Sequence, residues 1–234
     1  MLREDFIKKN PLRVLQPAPG KDFPEYRMGL VMARAGLGKT SILVQVAIDN
    51  IFRGQRVLHV GIGDGLEKAK AWYDDIFKYI IENYSLDNAL EVGEVIMRNR
   101  MIMTFKESAF SRPKLEERLN DLIYQNIFRP DCIIVDGFDF VNRDREALED
   151  LRELVKILQI QAWFSAVRHR EDTRMGPQGV PAPCHEMGDL FETVILLEPQ
   201  QEGIVLDIIK DATGCAELGK SLRLDPSTMM VKAV

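Results

Sequence analysis

The stretch that most constrains how this chain folds is a glycine-containing loop between two apolar segments. The mostly apolar run 28–33 predicts a strand, and apolar periodicity over 39–53 predicts a helix. Between them the chain reads Ala33-Arg34-Ala35-Gly36-Leu37-Gly38-Lys39-Thr40. Successive backbone N–H groups can curl around an anion here, because glycine tolerates the unusual φ and ψ that such a loop needs. The pattern predicts a phosphate-binding loop at the start of a helix.

The residue types in this loop fit the chemistry of a nucleoside triphosphate. The loop departs from G-x-x-x-x-G-K-[ST] only at Ala33, a position at the start of the loop where a methyl group is acceptable. Lys39 is expected to bring a point charge to the β- and γ-phosphates, and Thr40 a hydroxyl to Mg²⁺. The other residues predicted to surround the phosphates are Arg34, Ala35, Gly36, Leu37, Gly38 and Ser41.

A second acid is needed for the metal, and a later strand supplies a candidate. Four apolar residues, 132–135, lead directly into Asp136. A carboxylate at the end of a buried strand is costly unless it binds a metal, a metal-bound water or another partner. Together with the upstream loop, this pattern predicts that Asp136 and Thr40 form the metal site. The cofactors predicted from the two patterns are ATP and Mg²⁺.

The rest of the chain alternates between strand and helix patterns. Strands are predicted at 56–62, 101–105, 131–135 and 162–167, and helices at 66–84, 112–127 and 144–158. Three further strands, at 193–198, 204–210 and 221–231, have no helices between them. The prediction is an α/β fold: a mostly parallel central sheet with helices on both faces and antiparallel C-terminal strands. Residues 1–26 are interpreted as an N-terminal arm or lead-in segment, and residues 27–234 as one domain.

These residues resemble the RecA-like branch of the P-loop ATPases, especially its KaiC, RadA and DnaB types. The resemblance covers roughly residues 27–232. Three further segments resemble the family more loosely. Residues 56–60 resemble its second strand, residues 185–197 resemble the segment that leads into a later strand, and residues 209–214 resemble its K-x-R-x-G element. The resemblance implies a single RecA-like P-loop NTPase domain that hydrolyses ATP to ADP and phosphate. It implies catalytic roles for Lys39, for Asp136 and for an acid after the second strand.

Two positions depart from the family pattern. The family places a catalytic glutamate after the second strand, where this chain offers only Asp64 between glycines. Asp64 is interpreted either as the group that positions the attacking water or as the cap of the helix that begins at Leu66, and the two roles are compatible. Ala212 stands where the family has a finger arginine, although Lys210 remains. A finger supplied by a neighbouring subunit can raise the rate ~10³-fold or more, so its absence predicts slow hydrolysis or an assembly that lacks this contact.

The composition of the chain bears on where the protein is located and on which functions remain possible. The net charge is −5, the apolar runs are too short for a membrane helix, and the start has no apolar leader. Three cysteines are too few for a disulfide framework, which favours a cytoplasmic location. Two other functions stay open: an ATP-dependent regulatory switch without efficient turnover, and a DNA-stimulated recombinase or helicase accessory ATPase.

The loop after the strand at 162–167 bears on the nucleic-acid alternative. Residues 168–174 hold three arginines against two acids and have no aromatic residue for base stacking, which argues against nucleic-acid binding. The resemblance implies a polar residue here that senses the γ-phosphate; Ser165, Arg168 and His169 are candidates, and Arg168 is preferred. Self-association or a protein partner is compatible with the sequence.

Overall fold

One sheet organises the molecule. The computed structural model describes residues 10–15, 26–84, 89–201, 203–214 and 221–233. Over these residues the sheet has nine strands, in the order β3-β2-β4-β5-β1-β6-β7-β8-β9. The strands are β1 (Arg27–Ala33), β2 (Val57–Ile62), β3 (Arg100–Phe105), β4 (Cys132–Asp136), β5 (Gln161–Val167), β6 (Thr193–Gln200), β7 (Gly203–Asp211), β8 (Ser221–Leu224) and β9 (Val231–Ala233).

The pairing of neighbouring strands changes once across this sheet, from parallel to antiparallel. The six strands from β3 to β6 are parallel, and β7, β8 and β9 continue the sheet antiparallel to their neighbours. The predicted α/β fold with a mostly parallel sheet and antiparallel C-terminal strands is therefore confirmed.

Helices cover both faces of the sheet. The helices are α1 (Lys39–Phe52), α2 (Leu66–Tyr84), α3 (Ala89–Asn99), α4 (Arg112–Tyr124) and α5 (Arg145–Leu158). Alternate residues of β1 enter two separate cores, as a strand with period two requires. Val31 joins the core that contains α1, α2 and α3, whereas Leu30 joins the core that contains α4 and α5. In the part of the chain that the structure describes, no helix combines the length and apolar character needed to cross a membrane.

Ser111 caps α4, accepting a hydrogen bond from the Lys114 N–H at 3.4 Å. The predicted elements differ from the structure in two places. Helix α3 was not predicted. The single strand predicted at 221–231 is instead the hairpin of β8 and β9, joined by the C-terminal turn (residues 225–230).

The described part of the N-terminal lead-in packs on the domain. A 3₁₀ turn, Pro11–Leu15, buries Leu12 and Leu15 in the core that contains α1. Asn10 donates a hydrogen bond to the Asp49 carboxylate at 2.8 Å. Residues 1–9 and 16–25 of that predicted segment lie outside the described residues.

Strand order decides which loops meet. Strand β5 lies between β1 and β4, and β6 lies on the opposite side of β1. Ligands of open α/β sheets bind beyond the carboxyl ends of the strands, near the point where the strand order changes side. The loops after β1, β2, β4 and β5 all open at this edge.

Candidate functional site

The loop after β1 leaves the first N–H groups of α1 exposed to a ligand. Gly36 and Gly38 have φ of 80° and 88°, the left-handed region that favours glycine. Gly38 is the N-cap of α1; among the described residues no side chain caps the helix, and its first turn contains no acid. The first intrahelical bond runs from the Ile42 N–H to the Gly38 carbonyl, so the N–H groups before it lack helical partners. This is the arrangement of an anion-binding helix terminus.

Lys39 brings a partly buried ammonium to the same place. Its Nζ donates to the Arg34 carbonyl at 3.3 Å across the loop. Burial lowers the pKa of Lys39, the charge of Asp136 opposes this shift, and the charge of Lys68 adds to it. An anion at the helix terminus would favour the charged form of Lys39.

Thr40 and Asp136 meet although 96 positions separate them in the chain. The Thr40 hydroxyl donates to Asp136 Oδ2 at 2.7 Å. Ser165 lies on β5, which is between β1 and β4 in the sheet. Its hydroxyl donates a hydrogen bond to Asp136 Oδ1 and accepts one from the Gly137 N–H at 3.1 Å. Both oxygens of the Asp136 carboxylate are therefore held in place. From the sequence, Thr40 and Asp136 were predicted to lie together, whereas Ser165 was only one of three candidates for the residue that senses the γ-phosphate.

The donor set fits Mg²⁺. Thr40 and Asp136 offer hard oxygen atoms, the ligands that this cation takes. No group of three or more His, Cys, Asp or Glu side chains that could hold a metal occurs among the described residues. A cation at Thr40 and Asp136 would complete its shell with water and phosphate oxygens, which is how Mg²⁺ is held in phosphate-transfer sites.

Ser41 was predicted to surround the phosphates with its neighbours, but its side chain faces elsewhere. It is fully buried, and its hydroxyl donates to the Met229 carbonyl at 2.5 Å. The amide of Gln45 donates to the same carbonyl at 2.8 Å and accepts from the Val231 N–H at 2.9 Å. Ser41 therefore offers only its backbone N–H to an anion, and its side chain ties α1 to the C-terminal turn.

The other predicted loop residues differ in exposure. Ala35 and Gly36 are exposed, Arg34 is half-buried, and Leu37 packs against the core that contains α1. The side chains of Leu224 and Met229 lie so close to Gly38 that a Cβ there would sit 2.7 Å from each. The φ of Gly38 therefore favours glycine, whereas the contact involves the ends of flexible side chains that can shift.

Asp64 lies at the site but does not cap α2. Its carboxylate accepts a hydrogen bond from Lys68 Nζ at 2.8 Å, and the described residues show no bond from it to an N–H of α2. The capping interpretation of Asp64 is therefore wrong. Asp64 lies at the mouth of a cavity of about 420 Å³ beyond the ends of β2, β4 and β5.

The same cavity contains an acid that sequence analysis missed. Glu107 begins a short 3₁₀ turn after β3, and its carboxylate lies against Gly63, where a Cβ would sit 2.8 Å from Oε1. Asp64, Glu107 and Asp139 all line the cavity. Glu107 follows the end of the strand paired with β2, so the strand order was the missing information.

Arg168, the residue preferred from the sequence as the sensor of the γ-phosphate, forms an ion pair with a side chain of its own chain. Arg168 pairs with Glu198 on β6 at 2.6 Å, whereas His169 lines the large cavity. Lys210 donates to the Gly188 carbonyl at 2.6 Å, within its own chain. Ala212 is exposed, and its N–H donates to the Glu192 carbonyl at 2.7 Å.

A buried histidine lies close to Thr40 and Asp136. His59 on β2 is buried, and its Nδ1 lies 3.3 Å from the Tyr73 hydroxyl. Burial lowers the pKa of His59 to about 4; Arg100 adds to the shift, and Asp136 opposes it. His59 is neutral at physiological pH and lines a small cavity with Thr40, Asp136, Asp64 and Lys68.

No protein-family model and no curated protein sequence matches this chain.

Proposed function

We propose that this protein is a RecA-like P-loop ATPase that binds Mg·ATP and hydrolyses it slowly to ADP and phosphate, in the cytoplasm. The observation that carries the proposal is the 2.7 Å contact between the Thr40 hydroxyl and Asp136, beside Lys39 and in front of a helix terminus without a cap. Such a combination matches the phosphate and metal chemistry of P-loop proteins.

Each residue has a physical role in this proposal. Lys39 and the N–H groups that open α1 bind the phosphates, while Thr40 and Asp136 hold Mg²⁺. When bound, Mg²⁺ neutralises charge on the phosphoryl oxygens. Ser165 keeps the Asp136 carboxylate oriented through its hydroxyl. With no arginine at position 212, the missing trans charge makes slow turnover the expected behaviour.

The binding part of the proposal is tested by titration with a fluorescent ATP analogue, with and without Mg²⁺. Lys39→Ala is expected to weaken binding by roughly 100-fold or abolish it, because a charge-assisted contact to phosphate is lost. Asp136→Asn is expected to remove most of the Mg²⁺-dependent part of the affinity and leave metal-free binding nearly unchanged. Asp139→Asn, which removes a carboxylate from the neighbouring cavity, is the matched control. Unchanged affinity in Lys39→Ala would refute the proposed site.

The hydrolysis part is tested by single-turnover measurements. Asp64 and Glu107, which both line the cavity beyond β2, are the carboxylates that we propose as candidates to position a water, and general-base assistance contributes roughly 10²- to 10⁴-fold. We therefore compare Asp64→Asn and Glu107→Gln with wild type. A large rate loss in one variant shows that its carboxylate is needed for hydrolysis, and no turnover in the wild type excludes an ATPase.

A regulatory switch is the second proposal, favoured by the bonds from Ser41 and Gln45 to Met229. They connect the helix that would bind the phosphates to the C-terminal turn. Tight, Mg²⁺-dependent ATP binding without turnover would support the switch. Single-stranded DNA in the same assay tests the accessory-ATPase alternative; the pairing of Arg174 with Asp172 and of Arg168 with Glu198 argues against it.

A further inference from the structure

A second lysine lies beside the proposed metal residues. Lys68, in the first turn of α2, lines a small cavity whose wall also includes Thr40, Asp136 and Asp64. Its Nζ lies 2.8 Å from Asp64 Oδ2. The side chains of Lys68 and Asp64 are 58% and 47% exposed, so this ion pair contributes little to folding and leaves Lys68 accessible.

Two lysines lie next to Thr40: Lys39 precedes it in the chain, and Lys68 lines the small cavity together with it. Like charges near one another repel, and a polyanion that lies near both offsets this repulsion. A triphosphate bound at α1 would relieve it, since a single phosphate chain can accept bonds from both lysines.

The position of Lys68 indicates which phosphate of a bound triphosphate it would contact. Thr40 and Asp136 would hold Mg²⁺, which would neutralise charge at the terminal end of a triphosphate. Because Lys68 lines the same small cavity as Thr40 and Asp136, we expect it to contact the terminal phosphate rather than the rest of the nucleotide. Lysine has three N–H donors, so Lys68 can keep its bond to Asp64 and donate another to phosphate.

We propose that Lys68 is a second phosphate-binding residue that contacts the γ-phosphate from within the same chain, and that Asp64 positions it. Lys68 then supplies, in cis, the charge that Ala212 cannot supply in trans. This inference rests on the proposed binding of Mg·ATP. It assigns the site a specificity: preference for a nucleoside triphosphate over a diphosphate.

The test measures affinity for ATP and for ADP, each with Mg²⁺, by competition against the fluorescent analogue. Lys68→Ala is expected to weaken ATP binding about tenfold, the value of one charge-assisted hydrogen bond, and to change ADP binding less than about twofold. Lys68→Arg should restore most of the preference for ATP. Lys70→Ala is the matched control: Lys70 lies on the same helix and pairs with Glu67 at 3.3 Å, but does not line the cavity.

The outcomes separate this inference from the proposed function. If the wild type binds neither nucleotide, the proposed function fails and the inference fails with it. If the wild type binds both, and Lys68→Ala keeps the same ratio of ATP to ADP affinity as Lys70→Ala, only the inference is overturned. Equal weakening of ATP and ADP in Lys68→Ala also overturns it, because a γ-phosphate contact acts on ATP alone.

Discussion

His59 makes the stability of this protein sensitive to acid in a predictable window. The side chain is 1% exposed and packs edge-on against Tyr73, with ring centroids 5.6 Å apart. The Arg100 guanidinium lies 4.5 Å from the same tyrosine ring. A proton on His59 would be buried near this positive charge, so the folded state disfavours it. We expect His59→Asn, which does not titrate and retains a polar atom near the Tyr73 hydroxyl, to remove the sensitivity.

The magnitude follows from the pKa. Folding lowers the pKa of His59 from 6.5 to about 4. Between these values the unfolded chain binds a proton that the folded protein does not, so the free energy of unfolding falls as the pH falls. Each tenfold change in proton affinity is worth about 1.4 kcal/mol. Relative to His59→Asn, the wild type should lose about 2 kcal/mol between pH 7.5 and pH 5, and about 3 kcal/mol by pH 4. Above pH 7 the difference between the two proteins should be constant.

Urea denaturation followed by tryptophan fluorescence measures this difference. Both proteins are unfolded at a series of pH values from 8 to 4, and their free energies of unfolding are subtracted at each pH. The subtraction cancels the titration of groups common to both. A constant difference over pH 8 to 5 would refute the reasoning, because it would mean that His59 binds its proton equally well folded and unfolded.

Three further predictions concern the backbone, the C-terminal turn and assembly. Gly137→Ala should destabilise the protein by ~3 kcal/mol in urea denaturation, since φ is 91° and the new Cβ would lie 2.3 Å from a backbone oxygen. Gly179→Ala should cost only about 1 kcal/mol, because φ is 74° but the space around the new Cβ is open. Gln45→Ala should lower the free energy of unfolding by about 2 kcal/mol in the same assay, because the Met229 carbonyl loses one of two donors and the buried Val231 N–H loses its acceptor. No loss would mean that the turn is held by other contacts. Ala212→Arg should change single-turnover hydrolysis little, and sedimentation with ATP should show a monomer or dimer. A rise of ~10²-fold, or a stable hexamer, would show that a neighbouring subunit's phosphate is within reach.

Some features were predictable because they are local. The strand, loop and helix around Gly38 follow each other directly, so hydrophobic periodicity and glycine placement were sufficient. Asp136 was predictable because a carboxylate at the end of an apolar run is itself a signal. Helix α3 was missed because the prediction gave the whole region before β3 to one long helix and a loop. The strand predicted at 221–231 contains Pro226, which breaks the run, and the chain turns there.

The side-chain partners required the tertiary structure. Ser41 looked like a ligand for phosphate, yet its hydroxyl bonds to Met229, 188 positions along the chain. Asp64 had two interpretations, as a water-positioning group and as a helix cap, and only the tertiary structure shows that its carboxylate pairs with Lys68. Glu107 enters the site only because β3 pairs with β2.

The sequence by itself therefore determined which residue types are available to bind a phosphate and a cation, and on which elements they lie. Periodicity and loop composition report the conformation of consecutive residues, because backbone sterics and the burial of one face act over a few positions. The tertiary structure alone decided that β5 lies between β1 and β4, which brings Ser165 to Asp136 and leaves Thr40 within 2.7 Å of it. Contacts between distant segments depend on how the two cores pack around the sheet, and no local pattern encodes that packing.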